Sequence, residues 1–263
     1  MDLQLTNKLA LVTGSTAGIG YAIAEALARE GARVIVNGRT QEAVDDAIAR
    51  LKSATSKTAL GYAGDLSSAA VADALAAQYP DVEILVNNLG IYELKPFEEI
   101  SDDDWRRFFE TNVLSGVRLS RSYLPGMKRR NWGRIIFISS ESAVQIPLEM
   151  IHYGMTKTAQ LAIARGLAES VAGTGITVNA VLPGPTKSRG VGGAIERAAK
   201  AQGKPFEEIE KEFLKRARPT SLIKRLALPE EVAAMVAYIA SPLASATTGA
   251  ALRVEGGVIK SAF

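Results

Sequence analysis

The sequence predicts an α/β protein built on a doubly wound parallel sheet, and three observations predict it. Short runs rich in Val, Ile and Leu alternate with helical patterns along nearly the whole chain. The runs are continuously apolar rather than alternating, as strands covered on both faces must be. The first run leads through a glycine-rich turn straight into a helix, the connection that opens a βαβ unit. Regular alternation of strand and helix then places helices on both faces of the sheet, a three-layer α/β/α sandwich of Rossmann type.

In chain order the strands are LALVT (9–13), RVIVN (33–37), TALGYAG (58–64), EILVNN (83–88), RIIFIS (134–139), ITVNAVL (176–182) and ALRVE (251–255). Runs this short, dominated by β-branched and aliphatic side chains, read as strands rather than helices. Helical patterns fill the intervals: IGYAIAEALARE (19–30), QEAVDDAIARLKSA (41–54), SAAVADALAAQY (68–79), a long stretch from Asp102 to Arg130, a helix from about Tyr153 to Ala172, and another from Glu230 to Ala240. Residues 187–225 break the rhythm with GVGG and the charged amphipathic run KPFEEIEKEFLKRARP. An interruption of that length inside a compact domain reads as an inserted helical lid. Nothing rich in Pro, Gly or Ser divides the chain, so the expected organisation is a single domain over residues 1–263 carrying that lid.

Composition narrows the chemistry. Of 263 residues, 47% are apolar and 22% charged, which describes a globular protein with a full core. The absence of cysteine excludes disulfides, a thiolate nucleophile and thiolate-ligated metal, and a single histidine, His152, argues against a His-based metal site. A net charge of +3 is too small for a nucleic-acid footprint. The basic excess is local: residues 187–225 hold eleven Lys/Arg against five Asp/Glu. The start, MDLQLTNK, has no apolar signal core, and the apolar run at 232–240 is about half a membrane span. The expectation is a cytoplasmic protein with no membrane partner.

The glycine turn is Thr13-Gly14-Ser15-Thr16-Ala17-Gly18-Ile19-Gly20. Glycines permit a sharp turn and close approach of backbone to a pyrophosphate, and the following helix N-terminus offers unpaired N–H donors to it. At the end of the second strand, a carboxylate would bond the ribose hydroxyl of NAD, whereas an arginine accommodates the 2′-phosphate of NADP. The residues there are Asn37, Gly38, Arg39 and Thr40. Arg39 offers a donor fork suited to phosphate, so NADP is expected over NAD.

A Tyr-x-x-x-Lys stands at Tyr153–Lys157 near the start of a predicted helix, putting phenol and ammonium one turn apart on one face. A phenol works as an acid or base near neutrality only if its ordinary pKa of about 10 falls, and a nearby ammonium and an oxidised nicotinamide both push that way. Thirteen or fourteen residues earlier, Ser139-Ser140 ends a strand at the carboxyl edge of the sheet, where open α/β sheets bind ligands. Asn112 lies in the stretch ETNV, NNLG (87–90) closes the fourth strand and PGPT (183–186) the sixth.

With these residues in this order, the chain from about Asn7 to Val258 resembles the short-chain dehydrogenase/reductase family. The resemblance selects Ser140 over Ser139 and implies that Tyr153 donates a proton to a carbonyl, Ser140 hydrogen-bonds its oxygen, Lys157 binds ribose and shifts the tyrosine, and Asn112 holds a water in a proton relay. It assigns cofactor contacts to Gly14, Ser15, Thr16, Gly18, Ile19, Gly20, Arg39, Asp65, Leu66, Asn88, Gly90, Tyr153, Lys157, Pro183, Gly184 and Thr186, and implies a homotetramer or homodimer. Two positions depart from the pattern: Leu89 replaces the usual alanine of NNAG, and Ala17 stands where NADP-using members often carry a basic residue. The implied activity is hydride exchange between NADP(H) and a carbonyl or secondary alcohol, with 3-oxoacyl thioesters, sugars, polyols or other ketones as small-molecule substrates. The alternative is a non-catalytic dinucleotide sensor or scaffold. The basic residues Lys187, Arg189, Lys215, Arg216 and Arg218 suit a phosphate, a carboxylate or an acidic carrier, and equally a solvated helix face. His152 reads as a substrate contact or a helix-terminal cap, and Glu141 beside Ser140 is unexplained by sequence.

Overall fold

In the computed structural model, which describes residues 2–262, seven parallel strands form one sheet in the order β3-β2-β1-β4-β5-β6-β7. The two end residues of the expected 1–263 domain lie outside those described. The strands are β1 (Leu9–Val12), β2 (Arg33–Gly38), β3 (Leu60–Ala63), β4 (Ile84–Asn87), β5 (Gly133–Ile138), β6 (Ile176–Pro183) and β7 (Ala251–Val254). Their helices are α1 (Gly18–Arg29), α2 (Gln41–Thr55), α3 (Ala69–Gln78), α4 (Asp102–Phe109), α5 (Ser115–Arg130), α6 (Ile151–Ser170), α7 (Val191–Gln202), α8 (Phe206–Ala217) and α9 (Pro229–Ala240). The chain reverses its direction of growth between β1 and β4, so their carboxyl ends open the crevice in which such sheets bind ligands.

Alternation of side chains along each strand explains why the runs are apolar throughout. Ala10 and Val12 of β1, with Ile136 and Ile138 of β5, face one core built with α1 and α9. Leu9 and Leu11, with Ile135 and Phe137, face the other, built with α3, α5 and α6. Helices α7 and α8 keep a small core of their own, in which Ile195, Ala199, Ile209 and Leu214 meet Leu226.

The stretch expected from Asp102 to Arg130 is not one regular helix. Ser101 caps α4 through a capping box with Asp104, and between α4 and α5 the chain widens into a π turn over Glu110–Leu114. Such turns inside α-helices are frequent at functional sites, and this one contains Asn112. Among the described residues, no helix is long and apolar enough to cross a membrane.

Candidate active site

The glycine turn is held from three sides. Asn37 on β2 accepts from the Gly14 N–H with its Oδ1 at 3.0 Å and donates through Nδ2 to the carbonyls of Tyr62 and Gly64. Asn88 donates through Nδ2 to the carbonyls of Thr13 and Gly14 at 2.9 and 3.1 Å. Ser15 is fully buried, its Oγ donating to Val12 O and accepting from Asn37 N. The side chains of Ser15 and Asn88 therefore build the turn, and Gly20 is needed because a Cβ there would lie 2.5 Å from Asn88 Nδ2. Gly14 and Gly18 have φ of +59° and +56°, a region that favours glycine.

These residues fit a pyrophosphate. Position 17, which precedes α1, is alanine and caps nothing with its side chain, and the first turn of α1 has no acidic residue, so its N–H groups are left for an anion. A cavity of about 190 Å³ at this helix end is lined by Ala17, Gly18, Ile19, Asn88 and, from the start of the 187–225 segment, Ser188 and Arg189. Arg39 is exposed at the end of β2. Thr16 packs against Gly38, and Arg50 reaches over from α2 to donate to Thr16 O at 2.6 Å. Asp65 is exposed and accepts from Ser67, whereas the Leu66 side chain is buried in the core and can offer a ligand only its backbone.

The second group of residues meets at the carboxyl ends of β4, β5 and β6. Ser140, Tyr153 and Lys157 line one cavity of about 1140 Å³ together with Gly90, Pro183, Gly184 and Thr186. Its apolar walls include Tyr92, Leu94 and Ile146 on one side and Val191, Ile195 and Phe213 of α7 and α8 on the other. Lys157 is buried, donates to Ile138 O at 2.9 Å and to Gln160 Oε1 at 3.3 Å, and lies 5.5 Å from the Tyr153 ring centre. Burial pushes its pKa down to about 7.

Three side chains have settings that local sequence does not foretell. Burial raises the Tyr153 phenol, and the neighbouring Ser140 hydroxyl opposes that rise without reversing it. The chain's own groups thus keep the phenol protonated, poised as an acid. The Asn112 side chain accepts from Ile91 N and donates to Ile91 O and Thr156 Oγ1, pinning the segment after β4 to α6. His152 is neither a substrate contact nor a cap: it is wholly buried, its ring 4.0 Å from Phe108 and 6.1 Å from Trp105 between centres, and neither nitrogen has a hydrogen-bond partner among the described residues.

Glu141, unexplained in the sequence, is buried and accepts from Ser140 Oγ at 2.5 Å and Ser142 Oγ at 2.8 Å. Its other oxygen takes Arg218 Nε, also at 2.5 Å. Arg218 follows α8, so the 187–225 segment reaches directly to the neighbour of Ser140. The local basic excess is correspondingly less free than its count suggests: Arg218 pairs with Glu141, Lys204 with Glu208 and Glu212, Arg225 with Glu231, and Lys187 lies over the Phe206 ring. The sequence reading also passed over Gln160. Its signal was a polar residue on the buried stripe of α6 that runs through Lys157, Ala164 and Ala168.

Comparisons with known proteins agree with this geometry. Residues 8–198 match the family model described as short chain dehydrogenase. The chain is 49% identical over its whole length, and that of the relative, to an uncharacterized oxidoreductase of Bacillus subtilis, YvaG. It superposes on L-sorbose reductase of Gluconobacter frateurii, solved with NADPH and L-sorbose, with a TM-score of 0.92 and 31% identity, covering 99% of this chain and 100% of the other. Against an actinorhodin polyketide ketoreductase solved with NADPH the TM-score is 0.85 at 34% identity, over 96% and 97% of the two chains.

Proposed function

The chain belongs to the short-chain dehydrogenase/reductase family, and from that premise we propose that it reduces a carbonyl, or oxidises the corresponding alcohol, with NADP(H). One observation carries the reading: Ser140, Tyr153 and Lys157 line a single cavity at the strand ends, next to a glycine turn whose helix donors are left for an anion. When bound, NADPH supplies the hydride to the carbonyl carbon. Tyr153, protonated in its buried setting, gives its proton to the carbonyl oxygen. Ser140 hydrogen-bonds that oxygen, and Lys157 holds the ribose and stabilises the phenolate left behind. The 187–225 segment serves as the substrate lid, since α7 and α8 form one wall of the cavity and Ser188 and Arg189 border the glycine turn.

The test is a panel of ketones, sugars, polyols and 3-oxoacyl thioesters assayed with both nicotinamide cofactors. Turnover of at least one carbonyl with NADPH is expected. Tight NADPH binding without turnover on any of them would leave the sensor or scaffold reading instead. Arg39 is assigned the cofactor choice: a charge-assisted contact to the 2′-phosphate contributes roughly 1.5 to 3 kcal/mol, or about ten to a hundred-fold tighter binding of NADP than NAD. Arg39→Asp should reverse that order in a fluorescence titration, and equal affinities in the parent protein would remove Arg39 from this role.

A further inference from the structure

Gln160 stands between two groups that the proposed reaction uses. It lies on α6 three residues after Lys157, 1% exposed. Its Oε1 accepts from Lys157 Nζ at 3.3 Å, and its Nε2 donates to the Asn112 carbonyl at 2.6 Å. An ammonium has three N–H donors. Lys157 directs one to Ile138 O and one to Gln160, which leaves one for a ligand in the cavity. Asn112 contributes nothing further, because its side chain is engaged with Ile91 and Thr156. The Gln160 amide therefore links the Lys157 ammonium directly to the Asn112 carbonyl.

We propose that Gln160 is a positioning residue for Lys157: its amide makes, as a fixed side chain, the link between the Lys157 ammonium and the Asn112 carbonyl, and so aims the remaining N–H of Lys157 into the cofactor site. The inference rests on the NADP(H) reading above. The surroundings of Lys157 are the Tyr153 ring from α6, the Ile138 carbonyl from β5, Gly90 after β4, and Gln160 itself. None of these carries a compensating negative charge, so the neutral acceptor of Gln160 matters to the ammonium.

Two substitutions separate positioning from packing. Gln160→Leu fills the space with an apolar group and removes both hydrogen bonds. Gln160→Ala removes them too but leaves a polar gap with two partners, enough to admit a water. For NADPH binding followed by fluorescence, the leucine variant should weaken Kd by about ten to a hundred-fold, the range for a lost hydrogen bond to a charged group, and the alanine variant by roughly three-fold or less as water restores the link. With its acceptor gone, the Lys157 ammonium loses its proton at lower pH, so the alkaline decline of NADPH binding in the leucine variant should begin at lower pH than in the parent. Packing predicts the opposite order, since leucine keeps the side-chain volume that alanine loses. Gln160→Met serves the same purpose if the leucine variant does not fold. Unchanged NADPH affinity in the leucine or methionine variant, or an alanine variant weaker than both, overturns the proposal. A parent protein that binds NADPH but turns nothing over would defeat the reductase reading while leaving the Kd comparison to decide on Gln160.

Discussion

Tyr153→Phe is expected to lower turnover by about 10² to 10⁴-fold, the usual contribution of a general acid, while leaving the fold and NADPH binding close to those of the parent. The substitution removes one hydroxyl and keeps the ring, whose contacts are the Tyr92 edge at 6.4 Å between centres and the Lys157 ammonium. The backbone is untouched, so Tyr153 O still accepts from Thr156 Oγ1. Steady-state kinetics on any carbonyl found in the panel, set beside an NADPH titration, makes the measurement. A loss confined to kcat assigns the proton to this phenol. Retained turnover eliminates it as the acid.

Arg218→Met is expected to have the second largest effect, through Glu141. The pair is 10% and 3% exposed at its side chains, and removing one partner of a buried pair costs about 3–5 kcal/mol because the other charge is left stranded. In a chain of this size that corresponds to a fall in Tm on the order of 10 °C. The same change reaches the chemistry. Ser140 now donates to a carboxylate, and turning its hydroxyl toward a substrate oxygen breaks that bond; with Arg218 gone, the stranded carboxylate holds the serine harder, and kcat should fall as well. Adding Glu141→Gln should recover most of the stability, since no unpaired charge remains. Urea midpoints for the parent, the single variant and the double variant decide the point, and a single variant as stable as its parent would show that the pair contributes nothing. If the loss is local, hydrogen exchange should quicken in α7 and α8 before it does in the sheet.

The sheet was legible in the sequence because a strand covered on both faces must be apolar at every position, and the turn because Gly14, Gly18 and Gly20 answer steric demands that no other residue meets. Tyr153 and Lys157 stood out through their spacing, whereas the choice of Ser140 over Ser139 came from the family resemblance. The π turn was not legible: residues 110–114 (ETNVL) hold neither Gly nor Pro to break the helical pattern, and local pattern does not register one extra residue in a helical turn. Arg218 looked like one cation among many because its partner Glu141 lies 77 residues away in the chain, a separation no periodicity spans. For Leu66, expected to contact the cofactor, local pattern did not foretell that its side chain turns into the core and leaves only its backbone for a ligand.

His152 gives α6 an acid limit set by one ring. Burial is the main cause of its depressed pKa, and Glu93 and Asp104, which favour the charged form, only partly offset it while Arg107 and Lys95 act against them. The unfolded chain therefore takes up this proton first, near the usual value of about 6.5, and folding stability declines as pH drops below that point until the folded ring titrates too. Lys157 acts in a different window. Its pKa falls to about 7, so its effect on stability lies between there and the ordinary lysine value of about 10.4. As the only histidine in the chain, His152 can be tested by itself: His152→Phe should flatten the urea midpoint below about pH 6.5 where the parent declines, and parallel curves would acquit the ring. Because the residue that pays for the proton immediately precedes Tyr153, mild acid should loosen the start of α6, and with it the Tyr153 phenol, before it disturbs the strands that carry the rest of the site.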